Sequence, residues 1–453
     1  METELSHESD IDRPLVAVVG GGFAGLSAVK ALRKTPVDVV LIDSHNYHLF
    51  TPLLYQVASA LLDPSEIAHS ARAIVRGQKN VHPRMATVSS VDLDARRLSF
   101  EDGDQLRYDY LILAAGSVSN YYGNEDLRRE TFPLKNLTDA LALRYRVLER
   151  FELASATTDP VQRARLMRFA IVGGGATGVE LAGALSELVR LVLHMDFPEL
   201  DMSETRIILV NADNEVLEGF HPGLRRAAAR ALKRKGVDLI LGARVLGLDN
   251  DGRVRLTDDR SVDAGTVIWT AGVKAAELGT ALGVPLTSGG RVPVEPTLQV
   301  KDHREVFVAG DLAAVRDKGV ILPMLSPVAI QEGRQAARNV AALVEGRPLA
   351  QFHYRNLGTM ATIGRNQAVA ELGPLRLHGF PAWLTWLFVH LILIIGFRNR
   401  LIALLDWAID YLFYDRPVRL ITSLPRQLEP TKERGVGLQE PHAPASTRLP
   451  MGR

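Results

Sequence analysis

The chain has 453 residues and a net charge of +1, with 47% apolar and 23% charged residues. This length allows two or three domains with large buried cores, and the near-neutral charge gives no support to a nucleic-acid partner. The sequence contains no cysteine, which excludes disulfides, iron–sulfur clusters, thiolate zinc sites and redox dithiols, and no metal site is indicated.

A glycine-rich turn follows the first apolar run, 15–19, and precedes a segment of helical composition, 24–33. The pattern G-x-G-x-x-G permits a tight turn at its first glycine, approach of a pyrophosphate at its second and close helix–strand packing at its third. The next predicted strand, 37–42, ends at Asp43, whose carboxylate suits ribose hydroxyls. These features favour a dinucleotide site over an ordinary glycine-rich turn. The predicted binding residues are Gly20, Gly22, Phe23, Ala24, Gly25, Asp43 and Ser44.

A further buried strand, 110–116, closes in a tight turn, and its residues Ala115 and Gly116 are also cofactor-binding candidates. The glycine pattern then repeats about 150 residues after its first copy, following the strand-like run 169–172. Two copies, each between a strand-like and a helix-like run, indicate a protein that holds two dinucleotides, and electron transfer between them is the economical reason. The candidates in the second copy are Gly173, Gly175, Thr177 and Gly178.

The second strand of this repeat, 207–210, ends at Asn211, where NAD sites usually carry Asp or Glu. Asn211 can still bind a ribose hydroxyl, but less strongly than a carboxylate does. The next residues include Asp213 and Glu215 and no basic residue. These acids would repel a 2′-phosphate, so the sequence favours NADH over NADPH.

Glu180 lies two residues after Gly178, near the start of the second glycine helix. One interpretation is a carboxylate that complements the helix dipole. The other is a group that faces the nicotinamide and flavin rings, and we treat it as the catalytic candidate.

A strand predicted at 306–309 ends at Gly310 and Asp311, which is either a common strand-end turn or a second flavin contact with Asp311 near the ribityl chain. A strand returning after the second repeat indicates that one nucleotide domain is interrupted by the other. The alternating segments predict an α/β fold with two Rossmann-like dinucleotide-binding domains, parallel sheets and right-handed crossovers. The predicted units are 14–165 and 291–348 for the FAD domain, 166–290 for the NADH domain and 349–424 for a C-terminal domain. The remaining segments, 1–13 and 425–453, are predicted to be disordered.

The segment 380–397 is almost wholly apolar, and an apolar helix at 401–413 follows it. As one helix, 380–397 would span about 27 Å, which is barely enough for a bilayer. A membrane span, a buried core helix and an interfacial anchor are the three alternatives. We favour the anchor because Trp383, Trp386 and Trp407 prefer an interface. Arg398, Arg400, Arg416 and Arg419 are the predicted partners of anionic lipid.

Five motifs together resemble the type II NADH:quinone oxidoreductases, the non-pumping NADH dehydrogenases. They are NYHLFTPLLYQVA at 46–58, GGGATGVELAG at 173–183, WTAGV at 269–273, VFVAGD at 306–311 and GFRNR at 396–400. The resemblance covers about 14–424. It implies bound FAD, NADH as the electron donor, a membrane quinone as the acceptor and peripheral attachment through C-terminal amphipathic helices.

The resemblance also assigns residues. Glu180 matches the family glutamate between the nicotinamide and quinone regions, and Gly272 matches a cofactor-binding glycine. Ala329 and Gln331 match the second half of the family's quinone motif, A-Q-x-A-x-Q, whereas Ser326 and Pro327 depart from its first half. Those two residues fit a helix start, with Ser326 as N-cap and Pro327 in the first helical position.

The expected activity is hydride transfer from NADH to the flavin followed by two-electron reduction of quinone, without proton pumping. The expected location is the cytoplasmic face of a bacterial inner membrane, and a homodimer is left open. Two alternatives are a soluble NADH:acceptor flavin reductase and a non-enzymatic NADH-sensing flavoprotein. A sulfide:quinone reductase is disfavoured because that chemistry needs cysteines.

Overall fold

The computed structural model describes residues 13–395, 397–413 and 418–421. Apart from Arg13, the segments predicted to be disordered lie outside these residues. The described chain forms two nucleotide-binding units and a smaller C-terminal unit.

The first unit is built on a six-stranded sheet whose central strand is Leu15–Val19. Four of the five strand pairings in this sheet are parallel, and only the edge strand Gln299–Val300 runs antiparallel to the strand beside it. The central strand is almost wholly apolar and buried, as expected for a parallel sheet covered by helices on both faces. In sheet order the strands are Gln299–Val300, His303–Val308, Tyr110–Leu113, Leu15–Val19, Asp38–Asp43 and Val81–Met85.

The second unit is built on a five-stranded parallel sheet centred on Arg168–Val172. All of its strands lie between Tyr110–Leu113 and His303–Val308, two adjacent strands of the first sheet. The first unit is therefore interrupted by the second, as the sequence predicted. In sheet order its strands are Phe132–Pro133, Thr266–Trp269, Arg168–Val172, Arg206–Asn211 and Val237–Leu241.

A helix follows each glycine turn, and a third helix packs against the first of them. These are the first glycine helix, Phe23–Ala31, the second glycine helix, Ala176–Glu187, and the long helix, Ser326–Val344. A Cβ on Gly333 of the long helix would lie only 2.0 Å from the Ala24 carbonyl oxygen, so the two helices can approach this closely only with glycine there.

The C-terminal unit combines a three-stranded antiparallel sheet with two helices. The sheet strands are Thr359–Thr362, Ala368–Leu372 and Leu375–Gly379. The first C-terminal helix is Phe380–Leu393 and the second is Phe397–Phe413. The predicted single helix 380–397 is therefore wrong, because Ile394 adopts an extended conformation, with φ −59° and ψ 133°, that ends the first helix. The second helix also begins four residues before its predicted start.

The exposure of the first C-terminal helix argues against the core-helix alternative. It buries Ala382, Trp386 and His390 but leaves Phe388 64% exposed and Leu384 55% exposed. Within the ranges that the structure describes, no helix is both long enough and apolar enough to cross a bilayer.

The remaining elements connect these units. A capping box at Asn136 and Asp139 fixes the start of the helix Leu137–Ala156, which leads towards the second sheet. The other described α-helices of at least five residues are Leu54–Ala58, Ala71–Val75, Glu125–Glu130, Pro160–Leu166 and Pro222–Arg234. Two further three-stranded sheets consist of Val88–Asp92, Arg97–Phe100 and Gln105–Arg107, and of Val245–Leu248, Val254–Leu256 and Ser261–Val262.

Candidate functional site

A cavity of about 1790 Å³ runs between the two nucleotide-binding units and reaches the C-terminal unit. At one end it is lined by the second glycine turn and the end of the Arg206–Asn211 strand. At the other end it is lined by Phe50 and by Val389, His390 and Leu393 of the first C-terminal helix. The predicted site residues that line it are Phe23, Gly173, Gly175, Thr177, Glu180, Asn211, Gly272 and Gln331.

The two glycine turns have nearly the same backbone geometry. Gly20 and Gly173 have φ values of +105° and +114°, a region that favours glycine. A Cβ on Gly25 would lie 1.8 Å from the Gly20 carbonyl oxygen, and one on Gly178 would lie 1.9 Å from the Gly173 carbonyl oxygen. Each turn therefore needs its first glycine for conformation and its third glycine for close packing.

The middle glycine of each turn lies beside open space, unlike the closely packed first and third glycines. A Cβ on Gly22 or Gly175 would meet no described atom within 4 Å, and each residue directly precedes a helix whose start has no side-chain cap. The helix N–H groups therefore face open space, which fits a pyrophosphate. Gly116 and Gly272, with φ of +72° and +102°, provide further turns at the ends of neighbouring strands. Ala115 adjoins Gly116 in the same turn.

Asp43 and Asn211 hold the two turns by the same contact. Asp43 Oδ2 accepts the Gly21 N–H at 2.6 Å, and Asn211 Oδ1 accepts the Gly174 N–H at 2.8 Å. Asn211 Nδ2 also donates to the Glu215 carbonyl at 2.9 Å. An aspartate at this position could not donate, so the amide suits the loop that follows the strand. The neighbouring Ser44 is occupied by a contact of 3.0 Å with His45 Nδ1.

The Gly310–Asp311 turn is supported from within the protein. Glu332, which is fully buried, accepts the Gly310 N–H at 2.6 Å through Oε2, while its Oε1 has no described partner. Burial raises the pKa of Glu332 to about 8, although the Gly310 N–H lowers it. Ala329 lies against the same turn, since a Cβ on Gly310 would be 3.6 Å from that of Ala329.

Asp311 accepts a hydrogen bond from Ser117 Oγ, and its Oδ2 lies 3.8 Å from Lys135 Nζ. Lys135 lines the cavity. Burial lowers the pKa of Lys135, whereas the Asp311 carboxylate raises it. The sequence analysis did not select Lys135 or Glu332, because each becomes significant only through contact with a distant turn.

Glu180 is a buried carboxyl group at the wall of the cavity. Only 8% of its surface is exposed, and Oε1 accepts the Thr362 N–H at 3.4 Å. Burial raises the pKa of Glu180 to about 8, although the Thr362 N–H lowers it. The side chain is therefore protonated at neutral pH and can supply a proton to a group in the cavity.

Two family profiles match the chain. The pyridine nucleotide-disulphide oxidoreductase profile matches residues 14–333, and the NDH2 C-terminal domain profile matches residues 356–414. The type II NADH:quinone oxidoreductase NdhA of Mycobacterium tuberculosis is 40% identical, with 91% of this chain and 90% of the relative covered. The corresponding Ndh of the same organism is 38% identical, with 90% of each chain covered. The chain belongs to the type II NADH:quinone oxidoreductases.

A solved structure has the same fold at lower sequence identity. NDH2 from Plasmodium falciparum in complex with NADH is 18% identical, with a TM-score of 0.82 over 90% of this chain and 99% of that chain. The predicted fold class and family are confirmed. The domain boundaries and the individual site residues stay predictions.

The segment predicted to carry the quinone motif, 326–331, differs in detail from the expectation. Ser326 is the first residue of the long helix rather than its N-cap, which is Leu325 and forms no side-chain cap bond. Gln331 lines the cavity, but its amide donates to the Arg355 carbonyl at 2.9 Å and accepts the Arg355 N–H at 3.0 Å. Gln331 therefore holds the loop that leads into the C-terminal sheet.

At the apolar end of the cavity, His390 is a polar side chain that the sequence analysis did not select. His390 Nδ1 lies 2.8 Å from the Trp386 carbonyl oxygen, and the two side-chain rings stack with centroids 4.2 Å apart. Burial lowers the pKa of His390 to about 4, although the Trp386 carbonyl raises it. The ring is neutral at pH 7, with its proton on Nδ1 and an acceptor lone pair on Nε2.

Proposed function

We propose that this chain oxidises NADH and reduces a quinone to quinol, with FAD as its resident cofactor. The observation that carries the proposal is the single cavity that joins a nicotinamide-type glycine turn to an apolar end beside the first C-terminal helix. FAD, when bound, supplies the two-electron carrier between the nicotinamide and the quinone. The overall reaction converts NADH, one proton and quinone into NAD⁺ and quinol.

The first glycine turn and the Gly310–Asp311 turn are the proposed FAD-binding elements. The open space at Gly22 and the free N–H groups of the first glycine helix fit a pyrophosphate. Asp43 is the proposed ribose contact, although one of its oxygens already holds the Gly21 N–H. Asp311 is the proposed ribityl contact.

NADH is proposed to bind at the second glycine turn, with Gly175 and Thr177 facing its phosphates. Asn211 retains a lone pair on Oδ1 for a ribose hydroxyl. Asp213 also lines this end of the cavity and would repel a 2′-phosphate, so NADH remains favoured over NADPH.

Glu180 is the proposed source of the proton that enters the quinol. Its carboxyl group holds that proton at neutral pH because burial disfavours the anion, and Thr362 keeps the side chain at the cavity wall. At the apolar end, the Nε2 atom of His390 can accept a hydrogen bond from a quinol hydroxyl. The Phe50 ring, 6.3 Å from the His390 ring, excludes water there.

We further propose that the protein is a peripheral membrane protein attached through the two C-terminal helices. Many of their large apolar side chains are exposed. These residues are Phe380, Leu384, Phe388, Ile392, Leu393, Leu401, Leu404, Leu405, Ile409 and Leu412. Attachment on the cytoplasmic face of a bacterial inner membrane and assembly into a homodimer are expectations from the sequence.

The predicted arginine contacts to lipid are only partly available. Arg400 Nε donates to the Ile394 carbonyl at 2.7 Å, and Arg419 pairs with Asp196 at 2.9 Å. Arg416 and the side chain of Arg398 lie outside the described residues. We therefore assign the attachment mainly to the exposed apolar side chains.

Stopped-flow absorbance at the flavin band tests the reaction. We expect NADH to bleach the band rapidly and a short-chain quinone to restore it rapidly. Bleaching that only oxygen or a protein acceptor reverses would favour a soluble reductase. Bleaching that no acceptor reverses would favour an NADH sensor.

Vesicle sedimentation tests the attachment independently. Leu384→Asp combined with Phe388→Asp should abolish sedimentation with phosphatidylcholine vesicles but leave turnover of a water-soluble quinone intact. Val161→Asp, at a 76% exposed apolar residue on another helix, is the control and should sediment normally. Equal sedimentation of all three proteins would refute attachment through the first C-terminal helix.

A further inference from the structure

Three of the basic side chains that line the cavity lie on two helices that pack against each other. Lys30 lies on the first glycine helix, and Arg334 and Arg338 lie four residues apart on the long helix that packs against it. A spacing of four places both arginines on one helix face. The three cations therefore form a cluster at the groove between the two helices.

The cluster has no anionic partner among the described residues. None of its members forms a described ion pair, unlike Arg225 and Lys235, which pair with Glu215 and Glu187. Two carboxylates, Glu180 and Asp213, line the same cavity, and neither forms a described ion pair with these three side chains.

The cations also repel one another. Burial lowers the pKa of Lys30, and the charge of Arg334 lowers it further. Grouping like charges without a counterion is unfavourable, and an anion between the two helices would relieve the repulsion. A phosphate group suits a cluster of one ammonium and two guanidinium groups.

Apolar residues that line the same cavity favour one source of the phosphate. Val389, Leu393 and Ile395 line the same cavity, and Phe388 and Ile392 of the first C-terminal helix are exposed nearby in the sequence. A phosphate joined to acyl chains would match both the charged cluster and the apolar helix. A free phosphate would match the cluster alone.

We propose that Lys30, Arg334 and Arg338 form a binding site for the phosphate of one anionic phospholipid at the quinone end of the cavity. This inference rests on the proposed membrane attachment and quinone site. The bound headgroup lies where a quinone would enter from the lipid, so it links the opening of the cavity to the composition of the membrane.

Native mass spectrometry of the full-length protein in detergent tests the site. With phosphatidylglycerol we expect one retained lipid per chain, and with phosphatidylcholine none. The variant K30Q/R334Q/R338Q should bind phosphatidylglycerol about 100-fold more weakly, since each basic residue near an anionic surface contributes roughly fivefold. Flavin content measures whether the triple variant is folded. If it misfolds, the single variant Lys30→Gln replaces it and should show a smaller loss of phosphatidylglycerol binding.

A matched control separates this site from general charge attraction. R226Q/R230Q/K233Q removes the same charge from the exposed face of the helix Pro222–Arg234 and should retain the lipid. Equal loss in both variants, or retention in K30Q/R334Q/R338Q, would overturn the proposal. Full displacement of the lipid by millimolar inorganic phosphate would also overturn it, in favour of a free-anion site. Turnover of a water-soluble quinone in detergent reports the proposed function separately, so failure of one does not imply failure of the other.

Discussion

Replacing Glu180 by glutamine removes the proposed proton donor while keeping the shape of the side chain. The glutamine carbonyl oxygen can still accept the Thr362 N–H that Glu180 Oε1 accepts at 3.4 Å. The substitution therefore tests the proton rather than the packing of the buried side chain.

The size of the effect follows from the environment of the carboxyl group. Its pKa of about 8 exceeds the ordinary glutamate value of 4.5, and a difference of about 3.5 means that ionisation costs about 5 kcal/mol more here than in water. The group is thus protonated at pH 7 and loses its proton as the pH rises through about 8. If Glu180 is the general acid, Glu180→Gln should lower quinol formation by roughly 10²- to 10⁴-fold at pH 7.

Stopped-flow kinetics over pH 6 to 10 distinguishes this role from a structural one. In the wild type, the quinone-dependent recovery of the flavin band should slow as the pH rises through about 8, whereas in Glu180→Gln it should be slow and independent of pH. The rate of bleaching by NADH should change little, because that half of the reaction takes no proton from Glu180.

Glu332→Gln is the matched control, because the pKa of Glu332 is also about 8 but its side chain is held by the Gly310 turn outside the cavity lining. It should leave the pH dependence of recovery unchanged. The reasoning would be refuted if Glu180→Gln kept the wild-type pH profile, or if Glu332→Gln lost it.

Three further predictions concern stability and binding. Folding raises the pKa of Glu332 from 4.5 to about 8, so its contribution to the free energy of unfolding is full below pH 4.5 and is lost as the pH rises through about 8. Between these two pH values, the stability of the wild type relative to Glu332→Gln should fall by about 1.4 kcal/mol per pH unit. Denaturant titration of both proteins at several pH values measures this difference. Gly22→Val should fold but lose FAD, whereas Gly25→Val should unfold because its Cβ would lie 1.8 Å from a carbonyl oxygen; flavin content and circular dichroism distinguish the two. Asn211→Leu loses the bonds to the Gly174 N–H and the Glu215 carbonyl as well as the proposed ribose contact, so steady-state kinetics should show a KM for NADH raised about 10-fold with little change in kcat. An unchanged KM would contradict the role of the amide.

The nucleotide-binding turns were predictable because their signal is local. A buried strand, glycines at fixed spacing and a helix fall within about ten residues, and the strand Leu15–Val19 has its predicted bounds. The interruption of one unit by the other was also predictable, because a strand returned after the second glycine pattern.

The side-chain hydrogen bonds that hold the turns were not predictable, because they come from residues distant in the chain. Glu332 adjoins Gln331 in sequence, yet its significance depends on Gly310, which lies 22 residues earlier. The end of the first C-terminal helix was missed for another reason. Its apolar run continues past Leu393, and the prediction followed that run across Gly396 instead of ending the helix before this glycine.

The C-terminal unit contributes residues to two parts of the proposed active site. Thr362 from its sheet contacts Glu180, and a Cβ on Gly183 would lie 2.5 Å from the Ile363 carbonyl oxygen, so the second glycine helix packs tightly on this sheet. The first C-terminal helix supplies His390 to the apolar end. The sheet therefore holds the proposed proton donor, and the helix that follows it lines the proposed quinone end of the cavity.

The second C-terminal helix fixes this arrangement to the first unit. Trp407 Nε1 donates to Gln56 Oε1 at 2.9 Å, and Asn399 Nδ2 lies 2.9 Å from His69 Nδ1. Gln56 Nε2 in turn donates to the Tyr55 hydroxyl at 2.8 Å, and Tyr55 lines the cavity. The second C-terminal helix is thus joined to the cavity wall through the side chains of Gln56 and Tyr55.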